Sequence, residues 1–163
     1  MYFDDSTKFW PQLSEFNIQK DILIKKRLNF GHGTVVLAIA DLWLDVQTLL
    51  DLDEVADEFK KKKKRLLRVA TKYPNLTRQF LYSKGVTQFQ LVQSLGSTEV
   101  APFTGTAEII SDITSTGATL KANNLRVLKD GEILKSQACL MQSKLSNKKA
   151  GIKKIISLLS KWL

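Results

Sequence analysis

The chain has 163 residues, 44% of them hydrophobic, and a formal net charge of +9. This length and apolar content fit one domain with its own core, and they exclude a small scaffold that needs metals or disulfides to fold. The single cysteine, Cys139, excludes an internal disulfide and is predicted to be a small core residue.

The first predicted elements are a strand and a long helix. Residues 21–28 are typical of a strand and lead to a glycine-flanked turn. Residues 35–50 are apolar in nearly every direction of a helical wheel, apart from a narrow stripe of Asp41, Asp45 and Thr48. We therefore predict a central apolar helix, in which a carboxylate needs a functional reason.

A second helix and a β-rich half are predicted to follow. The helix covers residues 53–72, with a solvated basic face at 60–64, and ends at Tyr73-Pro74-Asn75 because the residue before a proline avoids helical conformation. Strands are predicted within residues 86–95, 105–113, 118–128 and 132–145. Asp130-Gly131 favours a two-residue hairpin turn, so these runs predict an antiparallel meander.

The last segment, residues 151–163, predicts a cationic amphipathic helix. Its apolar residues and its lysines occupy opposite arcs of the helical wheel. Such a helix docks on its own domain or on a partner protein, or lies in an anionic membrane interface, and both readings stay open. No stretch approaches the roughly 18 uncharged apolar residues of a membrane span. We expect a cytoplasmic protein, with peripheral membrane contact as the alternative.

Two motifs resemble a known family. His32-Gly33-Thr34 precedes Ile39-Ala40-Asp41, which places an aspartate nine positions after the histidine, and three strand-like segments follow residue 103. Over about residues 20–145, apart from an extra section, this pattern is similar to the hotdog-fold acyl-thioester hydrolases of the phenylacetic-acid-degradation type. The resemblance implies an α+β hotdog fold, in which an antiparallel sheet curls around the central helix. It places one domain at 1–145, with a helical insertion at about 50–84, before the basic helix at 146–163.

The residues of the turn and of the polar stripe suggest thioester chemistry. Asp41 is the candidate base or nucleophile, and the backbone N–H groups of Gly33 and Thr34 would polarise the carbonyl. The other candidates are His32, which supports the turn, and the substrate-binding residues Asn29, Gly31, Asp45 and Thr48. Asp41 lies eight residues past Gly33, about 12 Å along a helix, so a dimer would be needed to complete each site.

The function predicted from this resemblance is hydrolysis of acyl thioesters. The expected partners are acyl-CoA or acyl carrier protein and further copies of the chain in a homodimer or tetramer. Coenzyme A or phosphopantetheine enters only as part of the substrate, and no metal or other cofactor is expected. The basic residues would attract these anionic partners, whereas nucleic acid is disfavoured because no recognised binding motif accompanies the charge.

Two alternatives belong to other functional classes. One is a non-catalytic hotdog module that binds acyl thioesters, a protein partner or a membrane surface. The weaker one is a 3-hydroxyacyl-thioester dehydratase, which would need His32 as its acid and base.

Overall fold

The structure, a computed structural model, describes residues 21–149 and 151–162, which fall into two compact units. Unit two is Gly33–Leu134, and the described part of unit one is residues 21–32, 135–149 and 151–162. The strands are β1 (Ile22–Arg27), β2 (Gly33–Ala40), β3 (Leu67–Thr71), β4 (Phe89–Gln93), β5 (Ile109–Thr114), β6 (Leu125–Ser136) and β7 (Cys139–Ser143). The helices are α1 (Leu49–Lys63), α2 (Pro74–Ser83), α3 (Ala118–Ala122) and α4 (Ile152–Trp162), with 3-10 turns at Thr98–Val100 and Lys144–Lys148.

Unit two is built on a five-stranded mixed sheet with the order β4-β3-β5-β2-β6. Strand β3 is parallel to both β4 and β5, and β2 is antiparallel to β5. The register of the β3–β5 pair places Val69 opposite Ile109 and Thr71 opposite Ser111. Because these three strands are parallel, their carboxyl ends meet at one edge of the sheet.

Both faces of this sheet are covered by apolar side chains. Leu37 and Ile39 of β2 pack in one cluster with residues of α1 and α2. Val36 and Ala38 point to the opposite face and pack in a second cluster with Ile110 of β5. Side chains alternate along a strand, so a strand buried on both faces is apolar at every position.

The predicted central helix over residues 35–50 is wrong. Gly33–Ala40 is strand β2, residues 41–48 form turns, and α1 begins only at Leu49. A strand buried on both faces and a buried helix give the same continuous apolar run, so periodicity does not separate them. The β-branched residues Val35, Val36 and Ile39 are the feature that favours the strand.

The second predicted helix is also partly wrong. Its basic residues Lys60, Lys61, Lys62 and Lys63 do lie exposed in the last turn of α1, but Lys64 ends the helix with a φ of 55° and β3 follows. Pro74 starts α2 instead of stopping a helix, since the first turn of a helix does not need the missing N–H.

The predicted antiparallel meander and the hotdog fold are contradicted by the sheet. Residues 86–95 and 105–113 do contain β4 and nearly all of β5, but the β3–β4 and β3–β5 pairs are parallel, and residues 118–122 form α3. Asp130-Gly131 forms no hairpin, because β6 continues through it from Leu125 to Ser136. The fold is therefore a mixed α/β fold.

In unit one, β1 and β7 form a two-stranded antiparallel sheet. The prediction of a strand at residues 21–28 is confirmed by β1, and that of a C-terminal helix by α4. Cys139 begins β7 and is half-buried, so it is less enclosed than a core residue. Among the residues that the structure describes, no helix is long and apolar enough to cross a membrane. The domain boundary at residue 145 stays a prediction.

Candidate functional site

The carboxyl ends of β3 and β5 form the candidate functional site of unit two. From β3 the chain continues through α2 to β4 on one side, whereas β5 joins β3 on the other side. In open α/β sheets, ligands bind in the crevice outside the carboxyl ends of the strands, at the point where the strand order changes direction. The two turns that leave this edge, β3–α2 and β5–α3, are therefore the places to look for binding groups.

The β5–α3 turn, residues 114–117, is rich in hydroxyl groups. Thr114 Oγ1 accepts a hydrogen bond from Gly117 N at 2.9 Å, and Thr116 Oγ1 accepts one from Ala118 N at 3.3 Å. Gly117 has a φ of 75°, a left-handed conformation that favours glycine. Ser115 and Thr116 are exposed. A tight turn of this kind presents hydroxyl and backbone donors, which suit anionic oxygens.

One cation and one carboxylate lie beside this turn. Lys72 Nζ follows β3 and is 3.9 Å from Asp112 Oδ2 of β5, a long contact that leaves the ammonium group able to donate to a ligand. Asp112 Oδ1 also accepts a hydrogen bond from Ile113 N at 2.8 Å. Burial, and then the negative charge of Asp112, raise the pKa of Tyr73 above its ordinary value of 10.

Three buried hydroxyl groups lie beneath the site. Thr71 of β3, Thr77 of α2 and Ser111 of β5 are each fully buried. Thr77 Oγ1 lies 3.2 Å from Thr71 Oγ1 and donates to Ser111 Oγ at 2.8 Å. These bonds connect the first turns of α2 to the ends of both strands. Buried polar groups that are satisfied in this way rigidify the elements they join.

No group of three or more His, Cys, Asp or Glu side chains is placed to hold a metal ion within residues 21–149 and 151–162. The prediction that the protein uses no metal or other cofactor stays a prediction.

Among the predicted site residues near the start of β2, Thr34 lies at this edge, since it is the register partner of Thr114 in the antiparallel strand β5. Asn29 and Gly31 adopt left-handed conformations with φ of 55° and 63°, and Asn29 N donates to Gln137 Oε1 at 3.1 Å. His32 is exposed, whereas Gly33 is buried at the start of β2, with Thr34 beside it. The turn predicted here is present, but it leads into a strand and not into a helix.

The predicted site residues after β2 lie in and beyond a second turn. Asp41 and Asp45 are exposed, and Thr48 is the N-cap of α1, where its Oγ1 accepts from Asp51 N at 3.3 Å. An eight-residue strand separates Gly33 from Asp41, which corresponds to about 25 Å at the rise of a strand. The structure therefore does not bring these groups together within one chain. The ligand contacts expected of the eight predicted site residues, from Asn29 to Thr48, stay predictions.

Apart from Thr34, the sequence interpretation missed the residues at this edge of the sheet. It placed Lys72 in a helix and left residues 114–117 between two predicted strands. The available signal was the order of segments: an apolar strand, Ile109-Ile110-Ser111-Asp112-Ile113, followed directly by Thr114-Ser115-Thr116-Gly117. A strand, a Gly-containing hydroxyl turn and a helix in this order are typical of anion-binding turns, although the pattern is weak when it stands alone.

Comparison with known protein families gives a match over most of the chain. Residues 12–161 match the family "HisG: ATP phosphoribosyltransferase". The ATP phosphoribosyltransferase of Chelativorans sp. (strain BNC1) is 56% identical over 122 residues, which cover 74% of this chain and 53% of that protein. That of Brucella anthropi is 45% identical over 146 residues, which cover 89% of this chain and 63% of that protein. The chain thus spans little more than half the length of these curated relatives.

Solved structures agree with this match. The ATP phosphoribosyl transferase (HisG:HisZ) complex from Thermotoga maritima aligns with a TM-score of 0.61 and 28% identity, over 86% of this chain and 60% of that chain. A probable amino-acid ABC transporter extracellular-binding protein from Bacillus subtilis aligns with a TM-score of 0.55 and 12% identity, over 90% of this chain and 59% of that chain. The second likeness shows the fold alone, which is of the binding-protein type.

These matches overturn the resemblance to hotdog thioesterases. The predictions of acyl-thioester hydrolysis and of acyl-CoA or acyl-carrier partners are wrong, as is the fold inferred with them. The nine-residue spacing from His32 to Asp41 has a different origin, because it spans strand β2 and the turns at its two ends. A short motif such as His32-Gly33-Thr34, with an aspartate at a fixed spacing, is a weak signal on its own. Here the segment within that spacing was predicted as a helix and is a strand.

Proposed function

The chain belongs to the ATP phosphoribosyltransferase family, and from this membership we propose that it serves in the transfer of a phosphoribosyl group to ATP. The observation that carries the proposal is the family match over residues 12–161, within which the carboxyl edge of the sheet in unit two lies. In this reaction the bond between the anomeric carbon and its leaving group breaks. A bond from that carbon to an atom of ATP forms, and the leaving group departs with the electron pair. With phosphoribosyl pyrophosphate as donor, the leaving group is pyrophosphate.

We propose that the β5–α3 turn binds the phosphoribosyl group of the donor substrate. Its hydroxyl groups, with Ser115 and Thr116 exposed, supply donors to the oxygens of a phosphate group. Lys72 adds a positive charge at the same edge, and its long contact with Asp112 leaves it available to an anionic ligand. Asp112 also accepts hydrogen bonds, which suits the hydroxyl groups of a ribose. Supporting this assignment, the three groups come from two adjacent parallel strands.

We further propose that a second type of subunit assembles with this chain. The solved relative from Thermotoga maritima is a HisG:HisZ complex. By analogy with that complex, the expected partner is a HisZ-type subunit. The substrates are phosphorylated metabolites, which suits a cytoplasmic location.

Ligand binding to the purified chain tests the proposal. Isothermal titration with phosphoribosyl pyrophosphate and with ATP, in the presence of Mg²⁺ as the usual companion of polyphosphates, should give saturable binding. Lys72→Met should weaken binding of phosphoribosyl pyrophosphate about tenfold, because one charge-assisted contact is lost. Lys84→Met is the matched control, since Lys84 lies at the other end of α2, about 15 Å away along the helix.

Turnover provides the second measurement. Mass spectrometry of a mixture containing both substrates should detect phosphoribosyl-ATP, with the chain alone or after addition of a HisZ-type subunit. A folded native chain that binds neither substrate would contradict the proposal. If Lys72→Met and Lys84→Met weaken binding equally, the assignment of the site is contradicted. The weaker binding would then follow from the loss of positive charge in general and not from the loss of a contact in the site.

A further inference from the structure

The three buried hydroxyl groups beneath the candidate site form a continuous hydrogen-bonded chain. Thr71 and Ser111 are register partners in the parallel strands β3 and β5, and Thr77 reaches both of them from α2. All three residues have 0% of their surface exposed. The hydroxyl chain, Thr71, Thr77 and Ser111, therefore joins two strands and a helix at one point.

The hydroxyl chain has a defined direction. A hydroxyl group carries one hydrogen, and that of Thr77 is donated to Ser111 Oγ at 2.8 Å. The 3.2 Å contact between Thr71 Oγ1 and Thr77 Oγ1 must then have Thr71 as the donor. Thr71 Oγ1 in turn accepts from Tyr73 N at 2.9 Å. Hydrogen bonds thus run from the Tyr73 amide through Thr71 and Thr77 to Ser111.

This direction makes Thr77 the central member. It is the one residue of the three that both accepts from one strand and donates to the other. Its backbone N–H also donates to Tyr73 O at 2.9 Å, so the two polar groups of the Tyr73 backbone are held by Thr71 and Thr77. The β3–α2 turn is consequently fixed from both sides.

The residues that follow Thr71 and Ser111 face the candidate site. Side chains alternate along a strand, so Lys72 and Asp112 project from the opposite face to the hydroxyl chain. There Lys72 Nζ and Asp112 Oδ2 are 3.9 Å apart, and the β5–α3 turn begins two residues after Asp112. The alignment of the two strand ends therefore sets the distance between Lys72 and that turn.

We propose that Thr77 is a positioning residue, which holds the ends of β3 and β5 in the alignment that the phosphoribosyl site requires. The inference rests on the proposed function of that site. A valine at this position would fill nearly the same volume, so packing alone does not call for a hydroxyl group here. What valine cannot do is accept from Thr71 and donate to Ser111.

Three variants separate positioning from stability. Thr77→Val removes both hydrogen bonds, Thr77→Ser keeps them, and Leu52→Ala destabilises the fully buried core beside α1 without touching the hydroxyl chain. We expect Thr77→Val to weaken phosphoribosyl pyrophosphate binding about tenfold, which corresponds to the loss of about 1.4 kcal/mol. Thr77→Ser and Leu52→Ala should bind it with native affinity at a temperature where each variant is folded.

A second readout does not depend on any substrate. Burial and the charge of Asp112 raise the pKa of Tyr73 in the native fold, and titration of tyrosinate absorbance, with Tyr73→Phe as reference, measures it. Thr77→Val should lower the pKa of Tyr73 toward about 10, because the β3–α2 turn is no longer held against β5. Leu52→Ala should leave it unchanged. A purely structural role for Thr77 predicts the same pKa in both variants.

Ser111→Ala gives an independent test if Thr77→Val does not fold. It removes the final acceptor of the hydroxyl chain, and it should change both readouts in the same direction. The inference is overturned if Thr77→Val binds phosphoribosyl pyrophosphate with native affinity and also shows the native pKa of Tyr73. If Thr77→Val does not fold, the same two results in Ser111→Ala overturn it. If the native chain binds no phosphoribosyl pyrophosphate, the proposed function fails, and the Tyr73 titration alone decides whether Thr77 positions the strand ends.

Discussion

At the scale of single residues, the contacts of Glu108 strongly shift the pKa of its carboxyl group. Its Oε1 accepts from Arg65 at 2.9 Å and from Arg68 at 2.7 Å, and its Oε2 accepts from Arg68 N at 2.8 Å. Burial alone would raise the pKa of Glu108. The hydrogen bonds from Arg68 and Arg65 outweigh burial and hold this pKa at about 2.

The depressed pKa of Glu108 predicts loss of stability in acid. A carboxyl with an ordinary value of 4.5 and a folded value of about 2 stabilises the fold above pH 4.5, and this contribution is lost as the pH falls toward 2. Because Arg65 is partly exposed, the contribution is about 2 kcal/mol at neutral pH. Glu108→Gln should lose about that amount at pH 7 and little at pH 2.5, as measured by urea unfolding.

Glu58→Gln is the matched control for Glu108. Glu58 pairs with Lys62 at 2.8 Å, but both side chains are well exposed, so its removal should hardly change the unfolding midpoint. Equal losses in the two variants would contradict the special role of the Glu108 contacts.

At the residue scale, the sequence did not contain enough to assemble the candidate site. Lys72 and Asp112 meet because β3 and β5 are neighbours in the sheet, although α2, β4 and a 3-10 turn separate them along the chain. Long-range pairing of this kind follows from the packing of whole strands and helices, which local residue patterns do not encode. The sequence predicts a turn after β5, but it does not predict that Lys72 lies beside that turn.

At the scale of elements, β6 shows how a turn signal was overridden. Asp-Gly favours a primed hairpin turn, yet Asp130 and Gly131 lie inside a 12-residue strand. A Cβ at Gly131 would lie 2.9 Å from Leu128 Cβ and 3.0 Å from Leu37 O of β2. Asp130 Oδ1 accepts from Leu49 N at 2.9 Å, at the start of α1. The glycine allows close packing against β2, and the aspartate helps to cap α1. Both roles come from tertiary contacts, which here outweigh the local preference for a turn.

This close approach predicts that Gly131→Ala is destabilising. Contacts of 2.9 and 3.0 Å with a side chain and a backbone carbonyl require the strands to move apart, at a cost of about 1–3 kcal/mol. Gly96→Ala is the control, because an added Cβ there meets no atom within 4 Å and no left-handed φ is involved. Chemical denaturation of both variants measures the difference. A Gly131→Ala protein as stable as Gly96→Ala would show that β6 is free to shift.

The elements that were predicted correctly have signals of their own. Strands β1, β4 and β5 lie beside turn residues in the sequence, and α4 shows a clear apolar arc. Strand β2 has no polar alternation, because both of its faces are buried, and it was therefore read as a helix. Because of this one error, the predicted sheet lacks the strand that lies between β5 and β6.

At the scale of the whole molecule, the two units differ in how their strands are protected. Unit two has a five-stranded sheet in which the β2 residues Val35, Leu37, Ala38 and Ile39 are 0% exposed. The sheet of unit one has two strands, and all six residues of β1 are partly or fully exposed. Two-stranded sheets are marginally stable without further packing.

Hydrogen exchange should reveal this difference. We expect the amides of β2, β3 and β5 to exchange slowest, and those of β1 and β7 faster by a factor of about 100 or more, because local opening free energies range from near zero to the global value. Exchange measured by mass spectrometry on peptides from each strand gives the comparison. Equal protection of β1 and β5 would contradict it.

The position of β5 also sets the order in which the sheet can be made. Strand β5 lies between β3 and β2, so β2 has no contact with the β3–β4 pair in the sheet until β5 is present. On the ribosome, β2, β3 and β4 are synthesised first and must wait for residues 109–114. Their apolar surfaces stay uncovered during this interval, which exposes them to aggregation. The strand at the centre of the finished sheet is therefore the one on which its nascent neighbours depend.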